Sequence, residues 1–226
     1  MIVKIRYYYR SRIKEVKFRQ IIRYFALDYT ATTTAQLVQM SIRSVNSIYL
    51  KVRQRIAQFC EQESPLKETT VVDQSFPEAL RTRDIKIRDN YGKTIVFGIL
   101  KQRNKVFTEL VPVCSKTTLQ AVIHGLIAPD TVIHSEGWRG YDGLIDVGFG
   151  KHFLIQHGNN QLTDEESQSD NNIESFWRFA KRRLTKFNGV PEHTFYLHLK
   201  ETEFRFNHRR GNLYYAILKI LRLNPL

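Results

Sequence analysis

The sequence predicts an α/β protein in two parts, an all-α head over residues 1–63 and a mixed sheet with flanking helices over residues 64–226. Three observations carry this expectation. Apolar residues recur at helical spacing through the first sixty positions. After residue 69 the pattern shortens to runs of strand length. Between the two lies EQESPLK, Glu61 to Lys67, a polar stretch with a proline that reads as a linker.

In the head, Phe18, Ile21, Ile22 and Phe25 predict a helix over roughly residues 16–27, with these aromatics as core. A helix-turn-helix pattern follows. Ala31 to Val38 is the short first helix, with small Ala35 at the crossing point, and Gln39-Met40 makes the turn. Ser41 is a good N-cap for a second helix from Ile42 to Phe59. Ile42, Val45, Ile48, Tyr49, Val52 and Ile56 form its buried stripe. In such a motif the start of the second helix meets base edges in the major groove. Arg43, Ser44 and Ser47 are therefore the candidate base contacts, with Lys51 and Arg55 the candidates for phosphates. An ordinary three-helix bundle with a basic face is the alternative. Gln39 stands where such turns often prefer glycine.

Beyond the linker, strands are expected at Thr69–Phe76, Lys93–Leu100, Lys105–Val111, from Thr131 toward Glu136, and at His152–Gln156. Residues 77–92 read as an irregular basic excursion. Helices are expected after the Ser115 cap, near Tyr141 to Val147, and at Ile173–Lys186, Glu192–His208 and Leu213–Leu221. The polar run His157 to Asn172 reads as a mobile loop. Three strands followed by helix, strand, helix, strand and helix is the order of a ribonuclease-H-like domain, so the expected fold class is a ribonuclease-H-like mixed sheet preceded by a helix-turn-helix domain.

Charge narrows the function. The net charge is +13, unevenly spread. Residues 1–60 hold twelve basic and two acidic side chains, residues 61–170 hold twelve and sixteen, and residues 171–226 hold eleven and four. A basic head and tail around an acidic middle suit a polyanion held at both ends with cation-binding carboxylates between. Cys60 and Cys114 stand alone, which disfavours a zinc ribbon or a thiol redox motif. No apolar run reaches membrane-spanning length and no signal-peptide core is present, so a cytoplasmic, nucleoid-associated protein is expected.

Three acids hold significant positions: Asp73 near the end of the first strand, Glu136 at the tip of the fourth, and Glu174 opening a late helix. A carboxylate at the C-terminal tip of a buried strand is where open α/β sheets place their chemistry. Three convergent carboxylates suit two Mg²⁺ (or Mn²⁺) ions, hard cations that take oxygen ligands and stabilise both oxygens of a phosphodiester displacement. Lys181, Arg182 and Arg183 follow Glu174 on the same helix and are well placed for phosphates. His134, Trp138 and Trp177 read first as structural residues, and Asp142 and Asp146 as a solvated face.

Long strings in this chain resemble the bacterial insertion-sequence DDE transposases of the ISXO type, the small members without a zinc ribbon. KFRQIIRYFALDYTAT and VNSIYLKVRQRIAQFCEQESP resemble the N-terminal DNA-binding segment of that group. GKTIVFGILK, HSEGWRGYDGL, NIESFWRFAKRRLTKFNGVPEHTFYLHLKETEFRFNHRRGNLY and NPL resemble its catalytic domain. The resemblance implies two-metal cleavage and joining of DNA at transposon ends, by water and then a 3′-hydroxyl. Asp73, Glu136 and Glu174 fall on the group's three acidic positions, as catalytic residues and metal ligands. Double-stranded DNA, as transposon ends and target, is the implied partner, with a homo-oligomer assembled on it.

Three departures cluster at these acids. The first motif, usually D-E-S-Y-F-G, is Asp73-Gln74-Ser75-Phe76-Pro77. The second acid, usually Asp, is Glu136, and the extra methylene moves a carboxylate by roughly 1 Å, a displacement that can cost about 10²-fold in rate. The usual H-I-N-G-I-E is Ser169-Asp170-Asn171-Asn172-Ile173-Glu174. A transposase-derived DNA-binding protein or repressor without catalysis is therefore the alternative to an active transposase.

Overall fold

The computed structural model describes residues 7–63, 70–75, 95–101, 105–111, 132–136, 151–155, 164–187 and 190–226. Helix α1 spans Glu15–Ala26 and buries Phe18, Ile21, Ile22 and Phe25, the expected stripe. Helix α2, Ala31–Val38, starts at Thr30, whose Oγ1 accepts the Thr33 N–H at 3.1 Å and so satisfies one orphan donor of the first turn. Helix α3, Ile42–Gln62, starts at Ser41, whose Oγ accepts the Ser44 N–H at 3.1 Å.

Between α2 and α3 the chain turns at Gln39, in the left-handed region at φ 51° and ψ 57°. The turn demands the positive φ anticipated at this position, and glutamine carries a steric cost of about 1–2 kcal/mol that glycine would not. The corner is held from inside. Thr34 Oγ1 lies 2.7 Å from the Tyr49 hydroxyl, and the Phe25 ring meets the Tyr49 ring edge-on at 4.8 Å. Val45, Ile48, Tyr49, Val52 and Ile56 are buried as expected. Ile42 is not: it is 47% exposed, because it opens α3 ahead of the buried seam that begins at Val45.

The end of the chain completes this helical unit. Helix α6, Leu213–Leu223, packs on α1 and α3 and buries Ile217, Leu218, Ile220 and Leu221. Tyr9 N–H donates to the Leu226 carbonyl and Leu226 N–H to the Tyr7 carbonyl, each at 2.9 Å. Arg55 Nη2 and Nε donate to the Pro225 carbonyl at 2.7 and 3.2 Å. One unit is thus Met1–Gln62 with His208–Leu226, and the other is Glu63–Asn207. Residues 208–226, expected with the sheet, pack with the head because the apolar face of α6 is buried there.

The second unit is built on a five-stranded mixed sheet. Its strands are β1 (Thr70–Ser75), β2 (Ile95–Lys101), β3 (Lys105–Val111), β4 (Val132–Glu136) and β5 (Lys151–Ile155), in the order β3-β2-β1-β4-β5. The first three pair antiparallel, while β4 runs parallel to β1 and β5 parallel to β4. The helices expected after Ser115 and near Tyr141 lie outside the described residues. Helix α4 spans Asp164–Thr185 and lies against β1 and β2; helix α5 spans Glu192–Asn207 and lies against α4 and β3. Phe176, Trp177 and Ala180 of α4 form a core with Phe195, Leu199 and Phe206 of α5 and Val106 of β3. Each such large apolar side chain stabilises the fold by about 1.5–3 kcal/mol.

Helix α4 begins well before Ile173, so residues 164–172 are helix rather than the expected loop. Nothing apolar marks this polar opening, but Asp164, Glu165 and Glu166 sit in the first turn, where the helix dipole favours negative charge. As a result Glu174 lies in the middle of α4 and does not open it.

Strand β3 is an edge of the sheet, and α5 closes it with side chains. Asn207 Oδ1 accepts the Val106 N–H, and Asn207 Nδ2 donates to the Val106 carbonyl, both at 2.7 Å. Two residues along, Glu203 Oε2 accepts the Thr108 N–H at 2.8 Å and the Thr108 hydroxyl at 2.7 Å. Lys200 Nζ donates to the Thr108 carbonyl at 2.6 Å and to Glu203 Oε2 at 3.0 Å. Residues 200, 203 and 207 share one helical face, matching the period-two spacing of the outward backbone groups on β3.

A second buried cluster joins α5 to α4. Glu201 Oε1 receives Arg183 Nη2 at 2.6 Å and Arg205 Nε at 2.8 Å, and Arg183 Nη1 donates to Thr202 Oγ1 at 2.8 Å. The Arg183 and Glu201 side chains are 3% and 1% exposed. Arg183 falls on the same stripe as Phe176, Ala180 and Leu184, which turns it inward.

Two outcomes follow for the sheet unit, both readable by tryptophan fluorescence, since Trp138 and Trp177 both fall within residues 63–207. Arg183→Ala strips one partner from a buried ion pair and is expected to destabilise the unit by about 3–5 kcal/mol. The neighbouring exposed Arg182→Ala should stay within about 0.5 kcal/mol of the native chain. Equal effects of the two in urea unfolding would mean that Arg183 is not held inside. Asn207→Ala leaves both Val106 backbone groups without their partner, with an expected loss of about 1–3 kcal/mol in the same measurement.

Candidate active site

The register of β1 and β4 runs up to two of the three acids. Thr70 pairs with Ile133, Val71 with His134 and Val72 with Ser135, a constant offset. Beyond the last of these pairs β1 runs on to Ser75 and β4 to Glu136, and the same offset continued by one residue would set Asp73 opposite Glu136. Neighbouring strands lie about 4.8 Å apart and level residues occupy one face of a sheet. On its other side Asp73 pairs with Gly98 of β2, so that flank carries no side chain. Glu136 in turn pairs with Ile155 of β5.

Glu174 is on α4, which lies against β1, the strand of Asp73, and against β2. The side chains of Asp73, Glu136 and Glu174 lie outside the described part of the structure. Among the described residues no three His, Cys, Asp or Glu side chains form a metal-binding group. As a donor set, three carboxylates from two adjacent strands and a covering helix fit a hard divalent cation. His134 pairs with Val71 and Phe153 in the sheet; Trp138, Asp142 and Asp146 lie outside the described residues.

The basic candidates divide into exposed and engaged. On α4, Lys181 and Arg182 are exposed, whereas Arg183 is consumed by Glu201 and Thr202 and is not available to a phosphate. Helical periodicity would have separated them, since position 183 continues the stripe of Phe176 and Ala180. The same periodicity points to a residue missed above. Arg178 is exposed one turn before Lys181 and Arg182, so three cations recur along the outward face of α4 beyond position 174. Trp177 is buried, as expected.

On α3, Arg43, Ser44 and Ser47 are all exposed. The Ser44 hydroxyl is 2.8 Å from Ser41 Oγ and belongs to the helix cap. Lys51 Nζ donates to the Tyr8 hydroxyl at 2.9 Å and lies 4.6 Å from the Tyr8 ring centre. Arg55 holds the Pro225 carbonyl and donates from Nη1 to Gln58 Oε1 at 2.9 Å. Elsewhere in the helical unit, Arg209 and Arg210 are exposed neighbours. Partial desolvation, then repulsion from Arg210, lowers the Arg209 pKa from its ordinary value. No described helix is long and apolar enough to cross a membrane.

Comparison with known proteins gives these positions a setting. A protein of Haemophilus influenzae described as an "Uncharacterized transposase-like protein" is 39% identical over 117 residues, covering 52% of this chain and 93% of that protein. Among solved structures, the catalytic core domain of BIV integrase is similar at 14% identity and a TM-score of 0.42, over 67% of this chain and 93% of that one. A pre-cleavage Mos1 transpososome is similar at 10% identity and a TM-score of 0.35, over 91% and 78%. Residues 66–207 match the family described as the ISXO2-like transposase domain. That match spans the sheet, with Asp73 on β1 and Glu136 on β4, and α4 with Glu174, and the chain belongs to the ISXO2-like transposase family.

Proposed function

We propose that the protein is a DNA transposase that binds the terminal inverted repeats of its element and cleaves and joins strands with divalent metal ions. The single observation that carries this is the 63-residue offset between the parallel strands β1 and β4, which continued by one pair would set Asp73 level with Glu136, with α4, the helix of Glu174, against β1. Asp73, Glu136 and Glu174 would hold the two Mg²⁺ or Mn²⁺ ions. Such ions supply charge stabilisation to the attacking and leaving oxygens of a phosphodiester. A ribonuclease-H-like reading of the sheet unit fits its mixed order, with two antiparallel pairs on one side of β1 and parallel pairing on the other.

The remaining parts of the reading are electrostatic. Arg178, Lys181 and Arg182 would neutralise phosphates of the strand entering the acids, and α2 and α3 would act as the helix-turn-helix that selects the ends. Each phosphate neutralised steepens the salt dependence of binding by about 0.9 in a log–log plot. Alanine at both Lys181 and Arg182 should therefore flatten that slope by about 2. A homo-oligomer on paired ends is part of the same proposal.

A non-catalytic end-binding protein is the second reading, favoured by one observation: Glu stands at position 136, where the family resemblance implies Asp. Incubation of the full chain with end-bearing duplex and Mg²⁺ or Mn²⁺ tests both. Cleavage by the native chain, lost by 10²-fold or more in Asp73→Asn, is the result expected of the transposase. Cleavage unaffected by Asp73→Asn would remove these acids from the mechanism. Binding without cleavage, with activity appearing in Glu136→Asp, would leave the second reading.

A further inference from the structure

The outward face of α3 carries a residue not counted among the base contacts. Arg43, Asn46, Ser47, Leu50 and Gln54 are all exposed and recur at helical spacing, so they form one stripe opposite Val45, Ile48, Val52 and Ile56. Of the polar residues near the start of the helix, Ser44 is taken by the cap, Lys51 by Tyr8 and Arg55 by Pro225. Asn46 has no hydrogen-bond partner among the described residues. Leu50, one turn further along, is 37% exposed, an apolar side chain left in water on an otherwise polar stripe.

These two neighbours fit one kind of surface. A carboxamide presents an acceptor and a donor side by side, the complement of N6 and N7 on the major-groove edge of adenine. An exposed leucine complements the only apolar feature of that groove, the thymine methyl. Residues 1–60, with twelve basic and two acidic side chains, supply the charge that would hold a duplex against the stripe.

We propose that Asn46 reads an adenine in the major groove and that Leu50 packs on the methyl of a thymine in the adjoining step, so that α3 specifies an A·T-containing half-site. This rests on the DNA-binding reading of the helical unit. Arg43 and Ser47 flank the pair on the same stripe, and Ser44 serves the helix rather than the base sequence.

Selection of bound duplexes from a randomised pool by the full chain, native and Asn46→Ala, gives the test. The native chain is expected to enrich an A·T position that Asn46→Ala no longer prefers, with discrimination there reduced about tenfold or more and affinity for the unselected pool retained. Replacing that adenine by 7-deazaadenine should weaken the native chain and leave Asn46→Ala unaffected. Replacing the neighbouring thymine by uracil should weaken the native chain and leave Leu50→Ala unaffected. An unchanged motif in Asn46→Ala overturns the proposal while leaving DNA binding intact. If the native chain enriches no motif and does not retain duplex at low salt, the DNA-binding reading itself is lost, and this assignment with it. Both side chains are exposed, so circular dichroism of the variants should match the native chain.

Discussion

An edge strand has to place its outward backbone groups somewhere, and in this protein a helix takes them. Val106 and Thr108 of β3 are satisfied by Asn207, Glu203 and Lys200 at a helical spacing that answers the spacing of the strand. A backbone polar group buried without a partner costs as much as a lost hydrogen bond. The closure of β3 is thus a condition for placing α5 against the sheet at all. The consequences run inward. With α5 in place, α4 packs against both α5 and the strands β1 and β2, and α4 is the helix on which Glu174 lies. The seating of α4 therefore depends on side chains of β3 and α5.

Charge is used differently on the two faces of the same helix. Arg183 is buried with Glu201, while Arg178, Lys181 and Arg182 face outward. Composition makes no distinction among four basic residues in six positions; packing does. A cation on the core-facing stripe has to find a carboxylate there, because an unpaired buried charge is far more costly than a paired one. The tail behaves similarly, since Arg55, on the polar side of α3, is engaged by a backbone carbonyl of residue 225.

Much of the architecture was legible from apolar spacing. Phe18, Ile21, Ile22 and Phe25 marked α1, and Val45 to Ile56 marked α3, because burial repeats with the helical turn. The 63-residue separation of Asp73 and Glu136 is also the register offset of β1 and β4, so that distance in sequence became neighbourhood in space. What could not be read has physical causes. The polar opening of α4 is helical because of acids at its first turn, which hydrophobic periodicity does not register. Ile42 has the right residue type and phase for the core but lies ahead of the seam. The attachment of α6 to the head is a long-range choice between two apolar surfaces, and local pattern does not decide it.

That attachment makes the 145 residues from Glu63 to Asn207 an insertion within the helical unit. Joining Arg55 to Pro225, 170 positions apart, means closing a long loop, and the entropy of closure rises with the length of flexible chain it contains. A folded insertion shortens that flexible length to little more than the two crossings. Closing the helical unit across this interval should therefore be easier once the sheet unit has folded. Lesions that only loosen the sheet would then delay the head as well.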